Sequence, residues 1–376
     1  MKHTIAHFGN MANDAFPVVE ELQASGEDVH LYISLPTHVT ALPQWELNGY
    51  QMAEIGDPYS PNMDVLNRGY EQPEWVHFFR LKGNVFSRMN TLRRIMGKYD
   101  LIVAHTPFFL YTYLFRAKYI PFEAGTIRYF NQGTRLQDRV RVLLMEQSYR
   151  HARIVLMTNP DTLDLCERYR VHWEFIPFAI NMKRYSPMKT EDLGYENVIL
   201  CFSRHVWSEK GQDRLIRAFA RFVKDNKDSL LVFSERGEDL GKSKALIERV
   251  GIKEHIKWIP LMSKPYLVEW INKSTAVADQ FTLGSSGTAG FESMACGKPL
   301  IIYLSKRHFD RLYPEFPPVL NARTDDEILQ ALNVCTDRKA REELGRRSRE
   351  WVSKYHDAAV VAKQHLSIYE RMFDGH

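Results

Sequence analysis

"GSSGTAGFESMACGKPLIIYL", residues 284–304, sets three glycines and three small hydroxyl residues ahead of Glu292, then a Gly-Lys-Pro stop and an apolar run of strand length. Gly284 and Gly287 lack the Cβ atoms that keep a ligand away from the backbone. The helix that follows offers free N–H groups and a positive dipole end, a combination that favours an anion such as phosphate. Glu292, one turn in, carries a carboxylate able to accept hydrogen bonds from a vicinal diol, as a ribose presents. The plainer reading is a glycine-rich connection with a dipole-favoured glutamate.

Around this stretch a single rhythm repeats. "NVILCF", "SLLVFS", "IKWIP" and "TAVADQF" are strand-length apolar runs separated by amphipathic stretches such as "GKSKALIERVG" and "KPYLVEWINKS". The first half alternates similarly, with "TIAHF", "DVHLYI", "DLIVAH", "IPFEA" and "RIVLMT" as strands, and "DAFPVVEELQAS" and "QDRVRVLLMEQSYRHA" as helices. Such alternation predicts mostly parallel sheets wrapped by helices. "NMKRYSPMKTEDLGYE" (181–196) interrupts it with polar residues, Pro187 and Gly194. With 376 residues, 44% of them hydrophobic, the chain can fill two cores. The expected organisation is an N-terminal domain over 1–185, a linker over 186–196, a second domain over 197–355, and a last helix over 356–376 returning to the first domain.

Ligands of open parallel sheets bind beyond the carboxyl ends of the strands. In "CFSRHVWSEKGQDRLIRAF" the loop after a strand carries Arg204 and Lys210, two cations able to clamp a diphosphate and neutralise charge developing on it as a leaving group. "GEDLGKS" (237–243) imitates a Walker loop, but the required first glycine position is Arg236. After the first strand "HFGNMAND" offers only Gly9, not the spaced glycines of a dinucleotide fingerprint, so nicotinamide and flavin cofactors are not expected. "TDDE" (324–327) reads as a helix start rather than a metal pair, and no metal site is expected. Cys166, Cys201, Cys296 and Cys335 have no paired spacing and read as buried, reduced thiols. No apolar run approaches the ~18 residues of a membrane span and no signal-peptide core opens the chain, so a soluble, cytoplasmic protein is expected.

The net charge of +4 is unevenly spread: residues 75–153 hold 14 Lys/Arg against 4 Asp/Glu, a local excess of 14 − 4 = +10. Within it, residues 78–98 mix six cations with Phe78, Phe79, Val85, Phe86, Met89, Leu92, Ile95 and Met96 and contain no acid. A segment of this kind can lie on an anionic membrane surface, and solvated helix faces are the competing reading. Phe108–Phe115, "FFLYTYLF", reads as a buried helix.

The second half resembles the retaining GT-B glycosyltransferases, in particular family 4 (group 1), through "SRHVWSEKG", "GIKEHIKWIP" and above all "ADQFTLGSSGTAGFESMACGKPLI". Residues 340–373 are similar to that family's closing helices. "FGNMANDAFPVVEELQASGEDV", "YDLIVAHTPF" and "FEAGTIR" are similar, more weakly, to its acceptor domain. The resemblance implies an α/β, GT-B fold of two Rossmann-like domains facing a central cleft. It implies that Arg204 and Lys210 hold the donor diphosphate, that Glu292 holds the ribose, and that the backbone of Gly287, Thr288 and Ala289 lies against phosphate and sugar, with Gly9 and Asn10 at the donor from the first domain.

Two positions depart from the family pattern. The first of its paired glutamates would fall at Gly284, leaving Asp279 or Gln280 to take a sugar hydroxyl. Ala124 stands where related sequences carry a histidine, leaving His105, Glu123 or Asn10 as first-domain replacements. The implied activity is metal-independent sugar transfer, with retention, from a nucleotide-diphosphate sugar to a glycan or lipid-linked acceptor. No cofactor beyond the donor and no nucleic-acid partner is expected. An inverting transferase using Asp14 or Glu123 as general base, and a non-catalytic sugar-nucleotide or polyanion binder, are the alternatives.

Overall fold

The computed structural model describes residues 3–130 and 136–374. The chain forms two compact units, one of Met1–Leu47, Glu54–Ala179 and Ala358–His376, the other of Asn48–Ala53 and Ile180–Asp357. In the first unit, seven strands form one sheet: β1 (Ile5–Phe8), β2 (Val29–Ser34), β3 (Val76–Phe79), β4 (Leu101–Ala104), β5 (Tyr119–Glu123), β6 (Val155–Met157) and β7 (Trp173–Phe175). They lie in the order β3-β2-β1-β4-β5-β6-β7, every neighbouring pair parallel.

The second unit repeats the scheme with β8 (Asn197–Cys201), β9 (Ser229–Ser234), β10 (Ile256–Ile259), β11 (Ala276–Ala278), β12 (Leu300–Ile302) and β13 (Leu320–Asn321). Their order is β10-β9-β8-β11-β12-β13, again all parallel. Helices cover both faces of such sheets, which is why the central strands β1, β4, β8 and β11 are buried along their whole length and read as unbroken apolar runs. Strand order reverses between β1 and β4, and again between β8 and β11. In each unit the reversal opens a crevice beyond the carboxyl ends of those strands.

The division of the chain differs in detail from the sequence-based boundaries. The polar stretch before β8 is fastened to the second unit, because Asn272 accepts from Met188 N at 3.0 Å and donates to Ser186 O at 3.1 Å. Asn48–Ala53, with no strong pattern of its own, also belongs to that unit: Tyr50 N donates to Ser263 Oγ at 2.8 Å, and Gln51 bridges to Met262. The basic segment 78–98 is not one helix. Phe78 and Phe79 end β3, and the helix is Val85–Met96 with Leu92 and Met96 turned inward. In the helix Phe108–Leu114, Phe108 and Phe109 are buried. Thr324–Glu327 is a capping box, Glu327 N on Thr324 Oγ1 and Thr324 N on Glu327 Oε2. All four cysteines are free and buried.

The last helix, Ala358–Phe373, is held to the first unit by a buried polar chain: His7 Nε2 meets Tyr369 Oη at 2.8 Å, and Tyr369 Oη meets His365 Nδ1 at 2.8 Å. His105 lies beyond, its ring 5.8 Å from that of His7 and its Nδ1 3.3 Å from Asp14 Oδ1. Burial, and then the neighbouring His105, hold the His365 imidazole down at about 3, against an ordinary value of 6.5. Burial acts on His7 in the same direction, helped by His105 and His365. The unfolded chain therefore takes up protons below pH ~6.5 that the folded one refuses, so this contribution is complete above that pH and is lost progressively toward pH ~3. Unfolding midpoints measured from pH 7 to pH 4 should fall, and His365→Leu should flatten the fall. An identical slope in the variant would show that the histidines are not responsible.

Candidate functional site

At the β8/β11 reversal two loops are stitched together. Lys210 Nζ donates to Gln280 Oε1 at 2.8 Å, Phe281 N donates to Lys210 O at 2.9 Å, and Ser203 Oγ donates to Asp279 O at 3.1 Å. Gln212 completes the stitch from the helix Gln212–Asp225, donating to Ser203 Oγ and Arg204 O. Gly211 sits at φ +69° with its would-be Cβ 3.1 Å from Thr282 Oγ1, so the turn that brings Lys210 to Gln280 has no room for a side chain. Arg204 stands at the edge of this arrangement, 53% exposed, with Glu209 3.5 Å away.

The glycine-rich loop leads from β11 into the helix Thr288–Ala295. Among the described residues no side chain caps this helix; its N-cap is Gly287, in front of half-buried Thr288 and Ala289, and nothing lies within 4 Å of a Cβ built on Gly287. The first-turn N–H groups are therefore free of side-chain acceptors beside open space, an arrangement suited to an anion. Glu292 is buried, one oxygen 2.5 Å from Lys264 Nζ and the other, Oε2, without a hydrogen-bond partner among the described residues. Buried Ser285 Oγ is likewise unpartnered.

Of the two candidates for the sugar hydroxyl, Gln280 is otherwise employed and Asp279 is buried beside a small cavity. Gln280 uses its carbonyl on Lys210 and its amide on Ser285 O, which makes it the clasp of the loop. Burial pushes the Asp279 carboxyl up, with Lys210 pulling the other way. The cavity that Asp279 lines with Ser203 and Ala289 measures about 10 Å³, the size of one water and far too small for a sugar ring. Gly284 is left-handed at φ +73°, and a Cβ there would meet Tyr303 and Ser305 at 3.1 Å. A glutamate at this position would be strained and crowded.

In the first unit the candidate residues serve the fold. Glu123 is fully buried, one oxygen taken by Gly125 N at 2.5 Å and the other by Ile127 N at 3.1 Å and Tyr149 Oη at 2.6 Å. Three hydrogen bonds from the protein fix its carboxylate on the Thr126–Tyr129 turn, and complete burial makes it serve the fold rather than the expected catalytic role. Asn10 is equally spent, its Oδ1 accepting from Ala15 N and Phe16 N and its Nδ2 donating to Asn13 Oδ1 and Ala41 O. Gly9, at φ +98°, packs so closely on His105 that an added Cβ would lie 2.8 Å from the histidine Cβ. His105 itself is 1% exposed and stacked on Phe122, so a ligand does not reach it directly.

Two cations escaped the sequence analysis. Lys264 opens the helix Lys264–Lys273 after β10, a loop without glycine or paired charges to mark it. Arg236 follows β9, where it had served only to reject a Walker loop. Its guanidinium donates to Ser234 Oγ and Phe202 O and lies 5.1 Å from the Phe202 ring centroid. Burial, then nearby Arg204, holds it down at about 10.

Residues 188–310 match the model of the family described as Glycosyl transferases group 1. The second unit carries a glycosyl transferases group 1 domain. A D-inositol 3-phosphate glycosyltransferase of Jonesia denitrificans is 26% identical over 134 residues, 34% of this chain and 32% of that protein, so the similarity spans about a third of the relative's length. Among solved structures, a sucrose-phosphate synthase from Thermosynechococcus elongatus superposes with a TM-score of 0.68 at 16% identity over 100% of both chains. Anabaena HepE, solved in complex with UDP and glucose, superposes with a TM-score of 0.71 at 15% identity over 98% of this chain and 99% of its own. The chain has the GT-B fold, built from two α/β units with parallel sheets.

The contact between the loops after β8 and β9 gives a direct test of local packing. Gly237, at φ +121°, lies against the backbone of His205, where an added Cβ would come within 2.4 Å of N and O, and His205 N donates to Arg236 O at 2.8 Å. Gly237→Ala should cost roughly 1–3 kcal/mol in chemical denaturation by forcing the loops after β8 and β9 apart. Unchanged stability would show that these loops are not locked at this position.

Proposed function

We propose that the protein is a glycosyltransferase that moves a sugar from a nucleotide-diphosphate sugar to a glycan or lipid-linked acceptor, with retention and without a metal ion. The observation that carries this reading is the convergence, at one strand-order reversal, of Arg204, Lys210, an uncapped helix N-terminus and a buried carboxylate with a vacant oxygen. The cations and the helix N-terminus suit two phosphates and Glu292 suits a ribose hydroxyl. The match of residues 188–310 to the glycosyltransferase family supports it, as does a fold shared with a protein that holds UDP and glucose.

In this reading the bond between the sugar's anomeric carbon and the diphosphate oxygen breaks. The acceptor oxygen forms the new bond on the same face, and its proton passes to the departing diphosphate. Cations and helix dipole then have one electrostatic task, stabilising charge on that leaving group. Retention is the outcome that the resemblance to family 4 implies, and Glu123, buried and held by three hydrogen bonds, is poorly placed to act as the general base of an inverting enzyme. NMR of the first-formed product decides: inverted anomeric configuration would overturn the front-face reading.

A thermal-shift panel of nucleoside diphosphates should raise the melting temperature, since a ligand at 100 times its Kd adds roughly 2.7 kcal/mol. Arg204→Ala, at a half-exposed position, should keep the fold and cost about 10²-fold in turnover. Wild-type turnover in that variant would remove Arg204 from the site.

The acceptor reading extends to an anionic lipid surface. No helix among the described residues is long and apolar enough to cross a membrane, but the helix Val85–Met96 exposes Val85 (72%) and Phe86 (82%) beside Arg88, Arg93 and Arg94. Only these two apolar residues of the helix are fully turned to solvent, so attraction by charge dominates, at about 1 kcal/mol per cation before screening. Sedimentation with phosphatidylserine vesicles at low salt should carry the protein down, and changing Arg88, Arg93 and Arg94 together to Ser should release it. Protein left in the supernatant would make this face a solvated one.

A further inference from the structure

Glu292 is 4% exposed and Lys264 14% exposed, and their contact is 2.5 Å long. Lys264 is not a flexible surface cation that happens to reach the site. It is the first residue of its helix, directly after Ser263, which is fully buried and bonded on both sides to the Asn48–Ala53 segment: Ser263 Oγ accepts from Tyr50 N, and Ser263 N donates to Tyr50 O at 3.3 Å. The ammonium also lies 5.9 Å from the Tyr185 ring centroid. Backbone, helix start and aromatic neighbour together aim it at one oxygen of Glu292, while the other oxygen stays buried and unpartnered.

Resting on the nucleotide reading of this site, we infer that Lys264 is a positioning residue: it holds the Glu292 carboxylate turned so that Oε2 alone is presented to a ribose hydroxyl. A buried carboxylate needs a counter-charge, and a charge-assisted bond fixes its orientation as well as its charge. A carboxylate fixed in this way rewards a ligand that fills its vacant acceptor and discriminates against one that leaves it empty. The segment Asn48–Ala53 then has a functional reason to join the second unit, because it anchors the residue before Lys264.

The test is calorimetric titration of the full chain with UDP and with 2′,3′-dideoxy-UDP, GDP and ADP and their dideoxy forms being run beside them. The wild type should prefer the ribonucleotide by tenfold or more. Lys264→Met should lose about tenfold for the ribonucleotide and little for the dideoxy form, so that selectivity collapses, and Lys264→Arg should restore it. In a Glu292→Gln background, Lys264→Met should change affinity less than twofold, because its partner is already gone. Unchanged selectivity in Lys264→Met overturns the inference alone. Equal losses for both ligands also overturn it, since they mean direct contact between Lys264 and nucleotide. If Lys264→Met does not fold, the same selectivity measured for Lys264→Arg and for the double variant, which buries no lone charge, decides the matter. Absence of binding by any nucleoside diphosphate to the wild type overturns the nucleotide reading, and this inference with it.

Discussion

Lys210 is the hinge pin of the second unit's site. Its ammonium is bonded to Gln280, its carbonyl to Phe281, and Gly211 beside it leaves no gap against Thr282. Through Gln280 the tie continues to Ser285 O, so the loop after β8 and the glycine-rich loop after β11 form one body. The hydrogen-bond acceptor of this ammonium is a neutral amide and not a carboxylate. In the proposed reading, a diphosphate meets this cation without displacing a carboxylate from it.

The same economy appears in reverse in the first unit. Its strand-order reversal carries polar side chains in the expected places, but several of them serve the fold. Asn10 holds the start of the helix Phe16–Ala24, Glu123 holds a turn, and His7, Tyr369 and His365 fasten the last helix. Buried polar groups are generally paired, and each hydrogen bond spent on the fold leaves a side chain less free for chemistry. At the glycine-rich loop Ser285 Oγ and Glu292 Oε2 are buried without hydrogen-bond partners among the described residues, as Asp14 and His105 are in the first unit.

What was legible in the sequence follows from burial. The central strands were plain because both faces are covered, and the loop after β8 was plain because two cations precede a glycine turn. The strands that escaped, β3, β7 and β13, all lie at sheet edges and are only partly buried, so their apolar signal is short and mixed. Glu123 and Asn10 looked reactive because a sequence shows residue type but not which lone pairs the fold consumes. Lys264 was invisible for the opposite reason. Its meaning comes from Glu292, 28 residues further along the chain, and from Tyr50, more than 200 residues before it. Only folding brings these groups together.

The account rests on one claim, that the β8/β11 reversal is a nucleoside diphosphate site already assembled in the free protein. A crystal structure of the protein soaked with UDP tests this most directly. The account predicts diphosphate oxygens within hydrogen-bonding distance of Arg204, Lys210 and the N–H groups of Thr288 and Ala289, with a ribose hydroxyl on Glu292 Oε2 and the Lys264 contact intact. Nucleotide density elsewhere on the chain, or at this site with Glu292 turned away from the ribose, would contradict it.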